Sequence, residues 1–215
     1  CRSVLDKVCE QTRDAVVIMV TNPVDILTYD AIRHSGLPWQ HVFGSGTVLD
    51  SARFRYLLSR HCGVDARNVH AYVLGEHGDS EVAAWSMTHL AGIQIDEFCA
   101  RCRRCEFRTE RQRIVDEVRD SAYHLIAAKG FTNYGIAQAL LRILGAVIRD
   151  EHSVLTVSSF IDGYAGIADV CLSVPCVVGR EGIVRQLQVD LDEDELEQLR
   201  RSAAKLRQMQ ASLAA

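Results

Sequence analysis

A single histidine, His77, stands between glycines in the stretch Val-Leu-Gly-Glu-His-Gly-Asp-Ser-Glu, residues 73–81. Apolar residues predict a buried strand ahead of it, and Gly78 lets the chain turn sharply behind it. An imidazole at a strand-to-loop junction suits proton transfer near neutral pH. A structural histidine followed by a solvated acidic turn explains the same pattern. A metal-dependent hydrolase that uses Asp79 and Glu81 is a third explanation, but no second histidine is placed to help it.

A carboxylate and a guanidinium, Asp50 and Arg53, lie three positions apart in a segment that predicts a helix over 49–58. Side chains at that spacing emerge on neighbouring parts of one helix face. An ion pair on the helix surface accounts for the same spacing. Arg55 points in a different direction, because each residue turns a helix by about 100°, and it needs a separate explanation.

The segments that must position these groups predict an α/β chain. The apolar run 15–20 is typical of a parallel strand that is buried on both faces, and it ends at Thr21-Asn22-Pro23, where open α/β sheets bind ligands. The tail predicts an antiparallel meander and then a helix that Asp192 caps together with Glu195. Predicted helices cover 1–13, 24–35, 49–58, 82–90, 110–129, 134–149 and a segment from about 192; further strands or extended pieces cover 42–43, 69–74, 92–95, 153–161, 168–178 and 183–191.

Composition restricts the kind of protein. With 215 residues, 48% of them hydrophobic and 24% charged, the chain can bury a substantial core. A net charge of -4 argues against a nucleic-acid partner, and the arginines between 101 and 113 alternate with acids as on a solvated helix face. No apolar run is long enough to span a membrane and the first residues lack a signal-peptide pattern, so we expect a cytoplasmic protein with no membrane partner.

The eight cysteines include a Cys-x-x-Cys-x-x-Cys run at Cys99, Cys102 and Cys105. Such a run is compatible with zinc or iron–sulfur ligation. No fourth ligand follows at a suitable spacing, and the intervening residues are mostly arginine. We therefore predict no metal site and expect reduced thiols, as is usual in the cytosol.

Four motifs of the chain stand in a definite order and spacing. They are Asn22-Pro23-Val24-Asp25, Gly44-Ser45-Gly46-Thr47-Val48-Leu49-Asp50-Ser51-Ala52-Arg53, Gly75-Glu76-His77-Gly78-Asp79-Ser80-Glu81 and Lys129-Gly130-Phe131-Thr132. Over essentially its whole length the chain thereby resembles the L-lactate dehydrogenases of bacteria, within the lactate/malate dehydrogenase family. The fold that this resemblance implies is α/β: the end of a Rossmann-type parallel sheet, followed by an α+β substrate domain with an antiparallel meander.

The resemblance also implies a reaction and the residues that perform it. His77 would exchange a proton with lactate or pyruvate while a hydride moves between the same carbon and NAD. Asp50 would orient the imidazole and raise its pKa, and Arg53 would hold the substrate carboxylate through a two-pronged contact. The further implied substrate contacts are Asn22, Asp25 and Thr132, and the implied cofactor contacts are Val20, Thr21, Asn22 and Ser45. Thr132 and the Gly-Ser-Gly-Thr form of 44–47 favour lactate; malate or another 2-hydroxy acid is the alternative.

Arg55 and His70 match positions that line a fructose 1,6-bisphosphate site between subunits in allosteric bacterial members of the family. Cationic groups that face their symmetry mates repel one another, and the bisphosphate would neutralise them and favour the assembled state. A surface arginine and a strand-start histidine explain the same residues without regulation. The family also implies a homotetramer.

The family pattern begins with a Gly-x-Gly-x-x-Gly phosphate turn and a mobile loop that bears a second arginine, and this sequence contains neither. We therefore expect that about a third of a typical subunit is missing and that this chain alone does not oxidise NADH with pyruvate. Residues 1–44 would end an NAD-binding domain on which helix 133–151 packs, and 45–215 would form the substrate and catalytic domain. A naturally short, non-catalytic homologue that acts by subunit association is the alternative of another class.

Overall fold

The computed structural model describes residues 1–102, 107–130 and 133–213. Within these ranges, seven α-helices and ten β-strands follow one another along the chain. The helices are α1 (Arg2–Gln11), α2 (Val24–Ser35), α3 (Val48–Cys62), α4 (Ile95–Cys102), α5 (Phe107–Lys129), α6 (Tyr134–Ile148) and α7 (Glu193–Leu213). The strands are β1 (Val17–Met19), β2 (Val42–Gly44), β3 (Val69–His70), β4 (Val73–Leu74), β5 (Val82–Ala83), β6 (His89–Leu90), β7 (Ile93–Gln94), β8 (Ser153–Tyr164), β9 (Ile167–Gly179) and β10 (Gly182–Gln186).

A five-stranded sheet in the order β1-β2-β8-β9-β10 forms the centre of the fold. β1 and β2 are parallel, whereas β8, β9 and β10 form an antiparallel meander. The two parts join where Gly44 of β2 pairs with Ser158 of β8. A side chain would not fit there, because a Cβ at position 44 would lie 2.6 Å from Thr28 Oγ1. The predicted class, an α/β parallel end continued by an antiparallel meander, is confirmed.

Of the three buried apolar clusters among the described residues, two include residues of α3. The larger cluster includes Phe43 of β2, Val48 of α3 and Leu199 of α7. The second includes Phe54 of α3 and Ile114 of α5. Fully burying one such side chain contributes roughly 1.5–3 kcal/mol. Because α3 contributes to both clusters, the helix that carries the Asp50–Arg53 pair is fixed along its length.

Two helix boundaries follow from local sequence alone. α2 has the predicted bounds and ends before Gly36, whose φ of +65° lies in the left-handed region that favours glycine. At the start of α7, Asp192 Oδ1 accepts the Glu195 N–H at 2.8 Å, and Glu195 Oε2 accepts the Asp192 N–H at 3.3 Å. The predicted end of α2 and the predicted capping pair are both confirmed.

Other predicted segments are wrong. The strand expected over 69–74 is divided into β3 and β4, which belong to different sheets because β3 pairs with β6 and β4 with β5. In place of the helix expected over 82–90, the chain forms β5, which pairs with β4, and β6, which pairs with β3 and β7. The last strand of the meander ends at Gln186, not at 191. Pairing between strands decided the structure of 69–74 and 82–90, and a local pattern does not contain that information.

The two predicted domains contribute strands to one sheet. The five-stranded sheet takes strands from both sides of residue 44, and α6 packs against β9 and α3. The boundary between 1–44 and 45–215 therefore stays a prediction. Within the part of the chain that the structure describes, no helix has the length and apolar character needed to cross a bilayer.

Candidate active site

The loop that carries His77 leaves the sheets at a fixed point. Immediately after β4, the Gly75 N–H donates to the Ser173 carbonyl and the Ser173 N–H donates back to Gly75, both at 2.9 Å. Gly75 has a φ of +86°, which permits the abrupt change of direction. The Glu81 N–H donates to the Gly78 carbonyl at 3.1 Å and closes the turn before β5. His77 is therefore carried on a short loop whose two ends are tied down.

The side chains of His77, Asp50 and Arg53 meet at one carboxylate. His77 Nδ1 lies 2.6 Å from Asp50 Oδ2, and Arg53 Nη1 donates to Asp50 Oδ1 at 3.1 Å. The Asp50 side chain is only 4% exposed, whereas the imidazole is 28% exposed. The buried Asp50 carboxylate thus holds the imidazole and the guanidinium in fixed positions, and the imidazole still reaches the surface.

Opposing effects determine the ionisation of His77. Burial lowers the pKa of the imidazole, while the hydrogen bond and charge of Asp50, with the charges of Asp25 and Glu81, raise it; the result is a pKa above the usual 6.5. Glu81 is itself buried, and burial together with the charge of Asp50 raises the pKa of its carboxyl group. The cluster therefore favours the imidazolium, the form that donates a proton.

Asp25, in the first turn of α2, contacts the backbone of the same loop. Its Oδ2 accepts the His77 N–H at 2.8 Å, and the residue is 2% exposed. Burial is the largest influence on this carboxyl group and raises its pKa to about 6. A buried group that bonds to the loop backbone holds the loop in place. The substrate contact that the resemblance implied for Asp25 stays a prediction.

The residues implied as cofactor contacts lie at the carboxyl ends of two neighbouring parallel strands. Val20, Thr21 and Asn22 follow β1, and Ser45 follows β2. The Ser45 N–H donates to the Met19 carbonyl at 2.8 Å and ties the two strand ends together. Thr21 and Asn22 are exposed. This edge is where open α/β sheets bind their ligands.

Arg55 and His70 line one cavity of about 340 Å³ between α3, α6 and β8. Arg67 and Arg142 also line it, so four groups that carry or can acquire positive charge surround one space. Arg55 Nη1 donates to the Ala71 carbonyl at 3.0 Å, and burial lowers the pKa of its guanidinium. The sequence pointed to Arg55 and His70 but missed the other two arginines, since neither stands in a motif.

Residues of α7 contact the His77 loop, and no sequence pattern pointed to them. Ser202 Oγ accepts the Glu76 N–H at 2.8 Å across a separation of 126 residues. Lys205 Nζ lies 2.9 Å from Glu76 Oε2. No periodicity or motif relates residues so far apart in the chain.

Some predicted residues fall outside the described part of the chain. Thr132 and Cys105 are among them, and so is the side chain of Cys102, whereas Cys99 is buried in the second apolar cluster. Among the described residues, no three His, Cys, Asp or Glu side chains are placed to hold a metal ion. The prediction for the cysteine run therefore remains a prediction.

Comparison with known proteins identifies close relatives of this arrangement. A family model described as the lactate/malate dehydrogenase alpha/beta C-terminal domain matches residues 47–215. The chain is similar to the L-lactate dehydrogenase of Acetivibrio thermocellus, with 49% identity over 208 residues that cover 97% of this chain and 66% of that protein. It is 53% identical to the L-lactate dehydrogenase of Treponema denticola over 203 residues, which cover 94% of this chain and 64% of that protein. A solved lactate dehydrogenase from a Medee basin deep-sea metagenome library matches with a TM-score of 0.96 and 36% identity, covering 100% of this chain and 68% of that one. The chain thus spans about two thirds of the length of the curated relatives.

Proposed function

This chain belongs to the lactate/malate dehydrogenase family, and from that premise we propose that it supplies the substrate and proton-transfer residues of an NAD-dependent L-lactate dehydrogenase in the cytoplasm. The observation that carries the proposal is the contact between His77 and Asp50, with Arg53 on the other oxygen of the same carboxylate. These residues provide a proton donor and acceptor, a group that orients it, and a cation for the substrate carboxylate.

The proposed proton transfer takes place at Nε2 of His77, because Nδ1 is engaged by Asp50. Asp50 keeps a proton on Nδ1, so the neutral imidazole presents Nε2 as an acceptor to the hydroxyl of lactate. In the reverse direction the imidazolium donates that proton to the carbonyl oxygen of pyruvate. The raised pKa of His77 keeps the imidazolium populated when pyruvate is the substrate.

Arg53 is proposed to bind the carboxylate of the substrate. A guanidinium carries five N–H donors, and the contact with Asp50 uses one of them, so the planar fork retains donors for a second carboxylate. Since Arg53 and His77 share Asp50, the anchored end of the substrate and its reacting carbon are held at a fixed separation. Such orientation accounts for a large part of catalysis by enzymes.

NAD is the proposed cofactor, with Val20, Thr21, Asn22 and Ser45 as its contacts in this chain. The exposed backbone after β1 and the Asn22 amide offer donors and acceptors that fit a carboxamide and ribose hydroxyl groups. When bound, NAD would supply the hydride acceptor for oxidation of lactate, and NADH the hydride donor for reduction of pyruvate. The residues of this chain provide the proton and orient the substrate.

A kinetic assay of the natural gene product that contains residues 1–215 tests this proposal. We expect pyruvate-dependent oxidation of NADH, and we expect His77→Gln to lower kcat/KM by about 100- to 10,000-fold, the range that a general acid–base contributes. His89→Gln is the matched control, because His89 lies in β6 and its Nδ1 contacts the Met87 carbonyl.

Two results would contradict the proposal. Full activity of the His77 variant would remove the proposed proton donor. Failure of the natural protein to reduce pyruvate would show that pyruvate is not its substrate. Turnover of oxaloacetate instead would indicate a malate dehydrogenase, and turnover of neither would favour the non-catalytic homologue.

The cationic cavity supports a regulatory part of the proposal. We propose that it binds fructose 1,6-bisphosphate and that the effector favours a homotetramer. The phosphates would pair with Arg55, whose guanidinium donates to the Ala71 carbonyl, and would compete with Asp65 and Glu151 for Arg67 and Arg142. Arg55→Gln should abolish activation by the bisphosphate and leave basal activity in place. Arg60→Gln, on the same helix but outside the cavity, should retain activation. Activation that survives in the Arg55 variant would sink the regulatory proposal.

A further inference from the structure

Glu76, the residue immediately before His77, is enclosed by its own loop and by α7. Its Oε2 lies 2.9 Å from Lys205 Nζ and accepts the Ser80 N–H at 3.2 Å. Ser80 Oγ donates to the same carboxylate oxygen. Glu76 is 7% exposed, whereas the Lys205 side chain is 41% exposed. One buried carboxylate therefore connects the two arms of the His77 loop to the C-terminal helix.

Ser202 of α7 makes the second connection to the loop. Its buried Oγ accepts the Glu76 N–H at 2.8 Å and lies 3.1 Å from Ser80 Oγ. At Gly75 the loop backbone approaches so closely that an added Cβ would lie 2.8 Å from Ser202 Oγ. The loop and α7 are thus in direct contact, with no room for a side chain between them.

Consecutive backbone N–H groups of the loop are fixed from two different helices. The Glu76 N–H is bound by Ser202 of α7, and the His77 N–H is bound by Asp25 of α2. α7 is itself anchored in the larger apolar cluster through Leu199 and its neighbours on the same face. The imidazole can contact Asp50 of α3 only if this backbone lies in the correct place.

We propose that Ser202 and Lys205 are positioning residues for His77: through Glu76 they hold the loop so that the imidazole stays against Asp50. The inference deepens the proposed function and rests on the role assigned there to His77. Neither residue touches the substrate or the cofactor in that proposal.

Removal of Lys205 has two effects on His77, and their directions differ. Loss of a nearby positive charge raises the pKa of an imidazole, whereas separation of the ring from Asp50 lowers it. The carboxylates whose charges raise the pKa of His77 stay in place: Asp50 on α3, Asp25 on α2 and Glu81 on the loop itself. Arg53 stays paired with Asp50, and the Glu76 carboxylate, which loses its cation, adds to the upward electrostatic effect. The sign of the change therefore distinguishes a positioning role from a purely electrostatic one.

The experiment is an NMR titration of the His77 imidazole in this chain, with the resonance assigned from the His77→Gln variant. We expect Lys205→Met and Ser202→Ala to lower the pKa of the His77 imidazole towards its ordinary value of about 6.5. Lys205→Arg should restore the original titration, because it keeps a cation within reach of Glu76. Arg201→Met is the matched control, since Arg201 lies on the same helix and pairs with Glu197 only on its exposed side.

In the natural protein the same variants should lower kcat by up to about 100-fold, the loss that a displacement of about 1 Å causes, with little change in the KM for pyruvate. Lys205 is partly exposed, so Lys205→Met decides the question if Ser202→Ala does not fold. An unchanged or upward titration in Lys205→Met, or failure of Lys205→Arg to restore it, would overturn the inference. The titration needs no turnover, so it tests the positioning role even if pyruvate proves not to be the substrate.

Discussion

Replacement of Asp50 by asparagine tests the central contact of the site, because the variant keeps the shape of the side chain and removes its charge. In the native protein the two oxygens of Asp50 serve different partners, His77 Nδ1 at 2.6 Å and Arg53 Nη1 at 3.1 Å. An amide has one oxygen and cannot serve both. The charge of Asp50 and its hydrogen bond raise the pKa of His77 against the effect of burial. We therefore expect the pKa of His77 to fall in Asp50→Asn.

The size of the effect on the reaction follows from the geometry. A hydrogen bond to a charged group contributes about 1.5–3 kcal/mol, and the Asp50 side chain is almost fully buried, which places this contact toward the upper part of that range. Since about 1.4 kcal/mol corresponds to a factor of ten in rate, kcat/KM for pyruvate should fall roughly 40- to 150-fold. The loss should grow with pH, because pyruvate reduction requires the imidazolium and the variant loses it at lower pH.

The assay is the pH profile of kcat/KM for pyruvate in the natural protein, together with an NMR titration of His77 in this chain. Asp162→Asn is the control, because Asp162 is exposed on β8 and the substitution changes the net charge equally. A profile that does not move would refute the assignment of Asp50 as the group that tunes His77. A loss that is the same at every pH would instead assign Asp50 mainly to holding Arg53.

Three further substitutions test other parts of the reasoning. Arg53→Lys should raise the KM for pyruvate by about tenfold or more, because a point charge does not replace a two-pronged contact; steady-state kinetics with an unchanged KM would contradict this. Asp25→Asn keeps an acceptor for the loop but removes a carboxyl whose pKa rises from 3.8 to about 6 on burial. Because that carboxyl must ionise while buried, the native fold loses stability as the pH rises from 3.8 to about 6, so above this range the free energy of unfolding of the variant should exceed that of the native protein by up to about 3 kcal/mol, and below it the two should be equal. Urea unfolding at both ends of the pH range measures the difference. A difference that does not depend on pH would contradict the prediction. Gly46→Ala should lower the free energy of unfolding by at least about 2 kcal/mol more than Gly36→Ala does. Both glycines have positive φ, but only at position 46 would a Cβ lie 2.4 Å from the backbone of β8. Equal losses of stability on urea unfolding would show that this close approach does not matter.

The features that the sequence predicts correctly depend on neighbours within a few residues. The end of α2 at Gly36 and the capping of α7 by Asp192 and Glu195 are of this kind. Asp50 and Arg53 could be paired from their helical spacing. Their relation to His77, however, came from the order of the motifs in a family, since no spacing rule brings residue 50 to residue 77.

The features that the sequence does not predict depend on partners far away in the chain. The two ends of the segment 82–90 are extended because β4, β3 and β7 supply their hydrogen bonds, and a turn joins them, although the apolar pattern of the segment fits a helix equally well. No local pattern distinguishes Glu76 from a solvated acid of a turn, yet Ser202 and Lys205 enclose it. Such contacts become visible only when the packing of α7 on the sheet is known.

His77 therefore depends on three helices for three different things. α3 supplies the carboxylate that sets the ionisation of the ring, α2 binds its backbone N–H through Asp25, and α7 holds the preceding residue. These helices pack on one continuous apolar cluster, so their relative positions are fixed by the same core. A histidine on an unsupported loop would have to be ordered in each catalytic cycle, which costs conformational entropy. Here the orientation of the imidazole is established when the protein folds, so no ordering is needed when the substrate binds.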